Sequence, residues 1–265
     1  MKDKISIITI TYNCKDVIEK TIQSVIHQDY DNKEYIIIDG GSNDGTVDII
    51  KKYESQVDCW VSEKDNGIYD AMNKGILKTT GKWINFMNAG DTFYDHSVLS
   101  SVAEIIDSNY TIAYGQIMKI YNRFKFIAYG QPINLNKLKD KCRLPHQGMF
   151  TNAEYHKKHL FDISYKSAAD YKFYYDAFFN DKCEFQYLPM LIANYDSESG
   201  MSKDSHIGTL ESYEIQGRNL SENQIRKIIL KYQIINFFKR HLPENIKTWT
   251  RKYKFSKAGY KIINL

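Results

Sequence analysis

The stretch YIIIDGGSNDGT, residues 35–46, changes from apolar to polar at a single position, Asp39. Its first four residues form an apolar run that is typical of a buried strand, and the Asp-Gly-Gly that follows is a turn signal. Asp44 can then cap a helix that extends to about Tyr53. The stretch therefore predicts a strand, a tight turn and a helix, which is the order of elements found in α/β folds.

The same order recurs on both sides of this stretch. Further strands are predicted at residues 5–10, 59–61 and 82–87, and the spacing of apolar residues predicts helices at 16–27 and 69–77. Strands and helices that alternate with short loops indicate a parallel sheet covered by helices on both faces, with right-handed crossovers. We therefore predict the α/β class.

The alternation changes after residue 95. The pattern predicts helices at 98–106, 153–160 and 170–179, antiparallel strands at 111–129, strands at 184–195, and loops at 130–145 and 196–205. From residue 208 onward the chain is predicted to be helical, with a break at Pro243. We divide the chain into residues 1–205, with halves 1–95 and 96–205, and an extension at 206–265.

The extension is strongly basic. Residues 221–265 carry eleven Lys and Arg against two Glu, whereas the remaining residues carry 25 basic and 30 acidic side chains. An apolar stripe with helical spacing runs through the first part of this segment: Ile225, Ile228, Ile229, Tyr232 and Ile235. Lysines alternate further on with the aromatic residues Trp249, Tyr253, Phe255 and Tyr260. This composition predicts a contact of residues 222–261 with an anionic membrane surface; packing on the protein or on a second subunit is the alternative.

The rest of the composition narrows the class of protein. No run of 18 apolar residues is present to span a membrane, and the N-terminus lacks a secretory pattern. The four cysteines form no CxxC pair, which argues against a zinc site or a disulfide framework and suits a reducing compartment. No nucleic-acid module is recognisable. We predict a cytoplasmic protein, peripheral on the inner face of the membrane, that does not bind nucleic acid.

Four polar stretches each follow a predicted strand: residues 11–13, 39–42, 65–67 and 88–91. The carboxyl ends of parallel strands meet at one edge of the sheet, where open α/β sheets bind nucleotides. None of the stretches is a GxGxxG or a Walker loop, so neither of those nucleotide sites is predicted. Asp39 could accept a hydrogen bond from a base or a ribose, and the two glycines that follow it would let a ligand approach the backbone. The alternative is a solvated turn.

Together these stretches resemble a known family. SIITITYN (6–13), IIIDGGSNDGT (36–46), DNGIYDAMNKG (65–75) and FMNAGD (86–91) occur in the order and at the spacing of family-2 glycosyltransferases, which are inverting enzymes of GT-A fold. The resemblance covers roughly residues 4–200 and is greatest to the bacterial enzymes of capsule, O-antigen and exopolysaccharide assembly. It implies a single open, mostly parallel sheet, a nucleotide-binding half at 1–95, and an acceptor half at 96–205 that holds the catalytic base.

The resemblance also implies roles for residues of the first half. The implied donor contacts are Thr11, Tyr12, Asn13, Asp39, Asp65, Gly67, Asn73, Lys74 and Asn88. Asp91 would hold a divalent metal, Mn²⁺ or Mg²⁺, that bridges the donor diphosphate. Asn88 and Gly90 stand where relatives often carry acids, so the phosphates would supply many of the metal ligands. Met72 stands where many relatives carry an arginine that helps to hold the nucleotide, and we interpret it as a helix-packing residue. Lys74 or backbone amides would then hold the nucleotide instead.

The second half would supply the base. Asp170 matches the family's base at the start of a helix, and the alternative is that it only caps that helix. His146 and Gln147 would lie near the donor sugar or the acceptor, and His206 could reach the diphosphate or the metal. The loop at 196–205 would order over the bound donor.

The predicted activity is an inverting transfer of a hexosyl or N-acetylhexosaminyl group. The donor would be a nucleotide-diphosphate sugar, most commonly of UDP, and the acceptor a hydroxyl of a surface-polysaccharide or lipid-linked saccharide. One alternative is a sugar nucleotidyltransferase, but residues 11–17, TYNCKDV, lack the glycine-rich loop expected there. The other is a family member that binds nucleotide without catalysis.

Overall fold

The computed structural model describes residues 2–121, 124–128, 134–140, 144–196, 206–257 and 261–264. The elements are β1 (Ile5–Thr11), α1 (Lys15–Ile26), β2 (Lys33–Asp39), α2 (Thr46–Lys52), β3 (Cys59–Ser62), α3 (Ile68–Lys78), β4 (Trp83–Phe86), β5 (Thr92–Phe93), α4 (Val98–Ile105), β6 (Ile112–Tyr121), β7 (Phe124–Ala128), β8 (Met149–Asn152), α5 (Ala153–Lys158), α6 (Ala169–Phe179), β9 (Phe185–Asp196), α7 (His206–Ile215), α8 (Glu222–His241), α9 (Glu244–Lys257) and β10 (Lys261–Asn264). Short 3₁₀ helices lie at Glu54–Gln56, Leu135–Lys139 and His146–Gly148.

Parallel pairing organises the first half of the chain. β1 lies between β2 and β4, and β3 pairs with β2, all in parallel register. All seven residues of β1 are buried, as expected for a strand covered on both faces. Ile5 and Ile7 belong to one core cluster with Ile22 of α1, whereas Ile8 belongs to the other with Met72 of α3. The predicted α/β sheet with helices on both faces is confirmed.

Antiparallel pairing extends the sheet on the other side of β4. The order continues through β8, β6, β7 and β10, while β9 pairs in parallel with β6 and antiparallel with β5. The antiparallel strands predicted at 111–129 are present as β6 and β7. The helical prediction was wrong at Lys261–Asn264, which form β10. That segment pairs with the exposed edge of β7, and a long-range contact of this kind leaves no local periodicity.

Among the described residues, the extension contains the helices α7, α8 and α9 and the strand β10, and the break predicted at Pro243 separates α8 from α9. A capping box between Ser221 and Gln224 begins α8. The loop was predicted at 196–205; Asp196 is the last residue of β9, and residues 197–205 lie outside the described residues, as do parts of the loop at 130–145. Across the described part of the chain, no helix has the length and apolar character needed to cross a membrane.

Candidate active site

The turns after β1 and β2 are joined to each other. Asn13 has a left-handed backbone (φ 51°), its N–H donates to the Ser42 hydroxyl at 2.8 Å, and its side-chain oxygen accepts from the Asn43 N–H at 3.0 Å. Asn tolerates this conformation better than most residues do. Two of the predicted donor-binding stretches therefore form one continuous surface at the carboxyl edge of the sheet.

Asp39 organises the turn after β2. Its carboxylate is fully buried and accepts hydrogen bonds from the Gly41 and Ser42 N–H groups at 3.1 and 2.9 Å. The hydroxyls of Ser42 and Ser62 add two more, at 2.5 and 2.6 Å. A buried carboxylate needs such partners. The Asp39 carboxylate is therefore not solvated but holds the turn together, and its predicted hydrogen bond to a base or a ribose stays a prediction.

Gly40 brings Tyr12 and Asp65 against the same turn. A Cβ at Gly40 would lie 2.4 Å from Asp65 Oδ2, so the Asp65 carboxylate would have to move, and 3.4 Å from Tyr12 Cδ2, an ordinary contact distance. Tyr12 is more than half exposed. Asp65 also accepts from the N–H of Gly67, which begins α3 with φ 112°. An exposed aromatic ring can stack on a nucleotide base, and a carboxylate beside it can accept a hydrogen bond from that base.

Thr11 carries an unsatisfied group at the end of β1. Its side chain is buried, and its hydroxyl has no hydrogen-bond partner among the described residues. Buried hydroxyls are normally paired, so this one is a candidate for a ligand contact.

Two predicted donor contacts are not supported. The Asn73 amide is buried and exchanges two hydrogen bonds with the Phe161 backbone, at 2.8 and 2.9 Å. Lys74 pairs with Glu63 at 2.8 Å and with Asp70 at 3.6 Å. The bond to Glu63 raises the pKa of Lys74. Asn73 therefore braces α3 against the segment before α6, and Lys74 is held by the loop after β3, because each side chain finds its partners within the protein.

Met72 is buried in the core cluster beneath α3, which confirms its interpretation as helix packing. The arginine of related enzymes therefore has no counterpart at this position.

The turn after β4 presents Asp91. Thr21 of α1 anchors the turn, since its hydroxyl accepts from the Gly90 N–H at 3.0 Å and donates to the Asp91 carbonyl at 2.7 Å. Gly90 adopts φ 102°, which favours glycine. The Asp91 side chain is buried, and its carboxylate accepts from Gln147 Nε2 at 2.9 Å. Gln147 thus lies beside Asp91, as part of the segment that leads into β8.

A chain of polar contacts runs from this turn to Asp170, and we call it the polar chain. Asn88 Nδ2 lies 3.0 Å from His146 Nε2. His146 Nδ1 lies 3.9 Å from Asp170 Oδ2, and the Tyr69 hydroxyl donates to Asp170 Oδ1 at 3.1 Å. If Asn88 donates to Nε2, the neutral imidazole carries its proton on Nδ1, toward Asp170. Tyr69 and His146, which are distant in sequence, thus meet the Asp170 carboxylate, and Asn88 is connected to it through His146.

Asp170 is not the N-cap residue of α6. The N-cap position is Ala168, no side chain caps the helix there, and Asp170 lies in its first turn. The Asp170 carboxylate is partly exposed and directed toward Tyr69 and His146. Asp170 Oδ1 also accepts from the Tyr171 N–H of that turn at 2.9 Å, so the carboxylate stabilises the helix start, and its contacts with Tyr69 and His146 come in addition.

Tyr69 remains a hydrogen-bond donor to this carboxylate. Burial and the charge of Asp170 both raise the pKa of the Tyr69 hydroxyl. A phenol with a raised pKa keeps its proton at neutral pH, so it can hold Oδ1 while Oδ2 stays available.

Comparison with known proteins decides the family. A sequence model described as Glycosyl transferase family 2 matches residues 6–172, which is more than half of the chain. The chain belongs to glycosyl transferase family 2.

Two curated relatives agree with this family. A PGL/p-HBAD biosynthesis glycosyltransferase of Mycobacterium bovis is 28% identical over 208 residues, which cover 74% of this chain and 78% of that one. A putative teichuronic acid biosynthesis glycosyltransferase, TuaG, of Bacillus subtilis is 36% identical over 93 residues, or 34% of this chain and 37% of that one.

Solved structures share the fold. TarS of S. aureus in complex with UDP superposes with a TM-score of 0.62 at 17% identity, over 93% of this chain and 78% of that one. The mannosyltransferase PcManGT from Pyrobaculum calidifontis, in complex with GDP-Man and Mn²⁺, gives a TM-score of 0.62 at 14% identity, over 86% and 68% of the two chains. At these identities the likeness concerns the fold.

A contact that the sequence did not predict joins α7 to the segment before α6. The two carboxylate oxygens of Glu211 accept from the backbone N–H groups of Lys166 and Ser167, at 2.8 and 2.9 Å. These residues directly precede α6 and Asp170. A single glutamate on a helix carries no local signal for such a contact, since its partners are backbone groups more than forty residues away.

His206 lies elsewhere. It is the first residue of α7, and its ring packs on Tyr232 of α8 at a centroid distance of 6.4 Å. Among the described residues, its neighbours belong to α7 and α8 and not to the turn of Asp91 or the polar chain. The predicted role at the diphosphate is therefore not supported, and a helix-packing role accounts for its position.

The turn after β4 offers few ligands for a metal. Within the described ranges, no group of three or more His, Cys, Asp or Glu side chains is arranged to hold an ion. Asn88 Oδ1 is, however, buried without a hydrogen-bond partner, three residues from Asp91. A carboxylate and an amide oxygen fit a Mg²⁺ or Mn²⁺ ion whose remaining ligands are substrate phosphates and water.

Proposed function

We propose that this family-2 protein is an inverting glycosyltransferase that moves a sugar from a nucleotide-diphosphate donor to a saccharide hydroxyl. The observation that carries the proposal is the polar chain, which links Asn88, in the turn that holds Asp91, to the carboxylate of Asp170. Inverting transfer needs a site that binds the donor diphosphate on one side of the reacting carbon and a base on the other side. The turn after β4 would bind the diphosphate, and the start of α6 would supply the base.

The donor would lie along the joined turns after β1 and β2. Tyr12 would stack on its base, Asp65 and the backbone around Asp39 would accept from the nucleoside, and the unpaired Thr11 hydroxyl would bind a polar group of the ligand. A UDP-sugar is the simplest donor to propose, and the UDP complex of TarS supports it. The GDP-Man complex of PcManGT makes a GDP-sugar the first alternative.

Asp91 and Asn88 Oδ1 would hold a divalent metal, Mg²⁺ or Mn²⁺, when donor is bound. Such a metal stabilises the negative charge that grows on a departing diphosphate. Gln147 would keep the Asp91 carboxylate oriented through their hydrogen bond.

Asp170 would act as the base. The acceptor oxygen attacks the anomeric carbon from the face opposite the diphosphate, the bond from that carbon to the phosphate oxygen breaks, and its electron pair leaves with the diphosphate. The hydroxyl proton passes to Asp170 Oδ2, because Oδ1 already accepts from Tyr69. His146 would orient the acceptor between Asp170 and Asn88.

The acceptor would be a surface-polysaccharide or lipid-linked saccharide, as in capsule, O-antigen or exopolysaccharide assembly. The named role of TuaG in teichuronic acid biosynthesis supports this class of product. The family match gives no support to the nucleotidyltransferase alternative. A non-catalytic protein that only binds nucleotide remains the competing candidate, because Asp91 is the one acidic residue of its turn.

The test compares Asp170→Asn with the unchanged enzyme. Asp176→Asn is the matched control, since Asp176 lies on the same helix and pairs with Lys172 instead of the polar chain. Donor hydrolysis and transfer are followed with UDP- and GDP-sugars, and donor binding by thermal shift with and without Mn²⁺. Loss of a general base typically costs about 10²- to 10⁴-fold in rate. We expect that loss for Asp170→Asn, unchanged donor binding, and little effect of Asp176→Asn.

Asp91→Ala completes the test. We expect it to abolish the Mn²⁺-dependent part of the thermal shift, because a bound ligand stabilises the fold by mass action. A protein that binds donor but shows no turnover, whichever residue is present at position 170, is the non-catalytic candidate and overturns the proposal.

A further inference from the structure

Helix α8 carries two apolar stripes, and the one predicted to touch a membrane packs on protein. Ile225 and Ile229 line a cleft of about 500 Å³ between α7 and α8. Tyr232 shares a hydrogen bond of 2.7 Å with Thr209 of α7. All five residues of that predicted stripe are half-buried. Within this stripe Ile225, Ile229 and Tyr232 lie next to α7, and the membrane contact predicted for residues 222–261 stays a prediction.

The second stripe lies on the opposite face and is solvent-exposed. The exposed fractions are 55% for Leu230, 48% for Ile234, 60% for Phe237 and 55% for Phe238. Their spacing of four, three and one places them on one side of the helix. Four large apolar side chains on one face are a contiguous apolar surface, unlike the isolated exposed apolar residues of ordinary surfaces. We call these four residues the outer stripe.

Basic residues flank the outer stripe. At 100° per residue, Arg226, Lys227 and Lys231 lie within about 80° of its centre. All three are exposed, and the Arg226 guanidinium is 3.7 Å from the exposed carboxylate of Glu222. An exposed apolar stripe with cations on its borders is the pattern of a helix that lies in a lipid interface.

Helix α9 repeats the pattern with aromatic residues. Trp249 and Tyr253 are well exposed and stack on each other, with ring centroids 5.7 Å apart. Trp and Tyr favour the boundary between lipid and water. Lys257 is exposed on the following turn of the same helix.

We propose that the outer stripe of α8 docks the enzyme on an anionic lipid surface, with its apolar side chains inserted and its cations at the headgroups. A second copy of the chain is a poor occupant. Residues 221–265 carry eleven basic and two acidic residues, so pairing two such faces would bring like charges together. Anionic headgroups supply the opposite charge. The inference rests on exposure and charge, and it deepens the proposed function by placing the enzyme beside a lipid-linked acceptor.

Vesicle flotation of the full chain tests this docking. The probes are vesicles of phosphatidylglycerol mixed with phosphatidylcholine, and vesicles of phosphatidylcholine alone. We expect binding to the anionic vesicles only, weakened by salt. The double variant Phe237→Ser/Phe238→Ser should bind at least about tenfold more weakly, given the free energy of burying an aromatic side chain. The matched control Leu77→Ser, at an equally exposed apolar residue of α3, should bind like the unchanged protein.

A second variant, which changes charges only, tests the docking independently in case the double variant misfolds. Arg226→Gln/Lys227→Gln/Lys231→Gln changes only exposed side chains and should also lose binding to anionic vesicles. Equal binding by the unchanged protein and both variants overturns the proposal, as does a failure of the unchanged protein to float. A dimer in solution that the double variant dissolves would assign the outer stripe to a second copy. Vesicle binding by a protein without transferase activity would support the docking and overturn only the proposed function.

Discussion

At the residue scale, the candidate chemistry depends on one carboxylate and the groups that orient it. Asp170 would be an ordinary acidic residue in the first turn of a helix if Tyr69 and His146 did not reach it. Tyr69 belongs to the segment DNGIYDAMNKG, where the family resemblance assigned roles to its neighbours Gly67, Asn73 and Lys74. The structure instead makes Tyr69 the residue of that helix that touches the candidate base.

Tyr69→Phe should lower kcat by about tenfold or more and leave the KM for donor unchanged, since a hydrogen bond to a charged group typically contributes about 1.5–3 kcal/mol. The ring stays in its packed position, so the thermal stability should change little. Tyr30→Phe is the matched control, because both tyrosines are 7% exposed and the Tyr30 hydroxyl bonds the Asp3 carbonyl far from the polar chain. Steady-state kinetics on both variants decides the question. Equal kcat values would show that Tyr69 is only a packing residue.

At the scale of elements, an aromatic cluster locks α5 and α6 onto the sheet. His156 of α5 stacks on Phe173 of α6 at 4.2 Å between ring centroids. Its ring also meets the edges of Phe161 and Phe86, the latter from β4. Complete burial lowers the pKa of His156 to about 4. A neutral imidazole therefore serves here as a core side chain, close to the helix that carries Asp170.

The low pKa of His156 makes the fold acid-sensitive. The unfolded chain binds a proton near pH 6.5 and the folded chain only near pH 4, so this stability is complete above pH 6.5 and is lost as the pH falls toward 4. At pH 5 the loss is about 2 kcal/mol by linkage. His156→Phe should remove that part of the decline in the free energy of unfolding.

Urea unfolding near neutral pH and near pH 5 provides the measurement. The control His27→Gln changes an exposed histidine and should keep the pH dependence of the unchanged protein. If His156→Phe loses as much stability as the control on acidification, the titration of His156 contributes nothing.

At the scale of the whole molecule, hydrogen bonds join the basic extension to the start of α6. Glu211 of α7 binds the backbone just before α6, and Gln216 donates to the Tyr171 hydroxyl at 3.0 Å. The same helix, α7, also packs on the apolar stripe of α8 that contains Ile225 and Ile229. α7 therefore connects α8, the helix proposed to dock on lipid, to the segment that precedes Asp170.

Glu211→Ala should loosen that segment. The N–H groups of Lys166 and Ser167 each lose an acceptor, so hydrogen exchange of these two amides, followed in a peptide covering 162–170, should accelerate by at least about tenfold, the effect of one lost charge-assisted bond for each amide. Glu222→Ala, at an exposed residue of α8, is the control and should leave that peptide unchanged. Unchanged exchange in Glu211→Ala would mean that α7 does not hold the start of α6.

Much of the architecture could be predicted because it is written in local patterns. The runs of β-branched residues in β1 and β2, the spacing of apolar residues in α1, and the Asp-Gly turns between them depend on neighbours in the chain. Strands that alternate with helices then place their carboxyl ends at one edge, so the neighbourhood of Asp39, Asp65 and Asp91 followed from the order of elements alone.

What could not be predicted depends on contacts between distant segments. Asn73 and Lys74 lie on the right helix, but only their partners Phe161 and Glu63 reveal that they serve the fold. The strand β10 could not be predicted either, because it forms by pairing with the edge of β7, which is distant in the sequence.

The sequence by itself determined the α/β sheet, the turn chemistry at its edge, the family motifs and the basic character of the extension, because each of these is a property of adjacent residues. Only the tertiary structure decided which carboxylate meets Tyr69 and His146, and which of the two apolar stripes of α8 stays in solvent. Periodicity assigns residues to a face of a helix, but burial of that face depends on α7, a separate helix whose position no local pattern encodes.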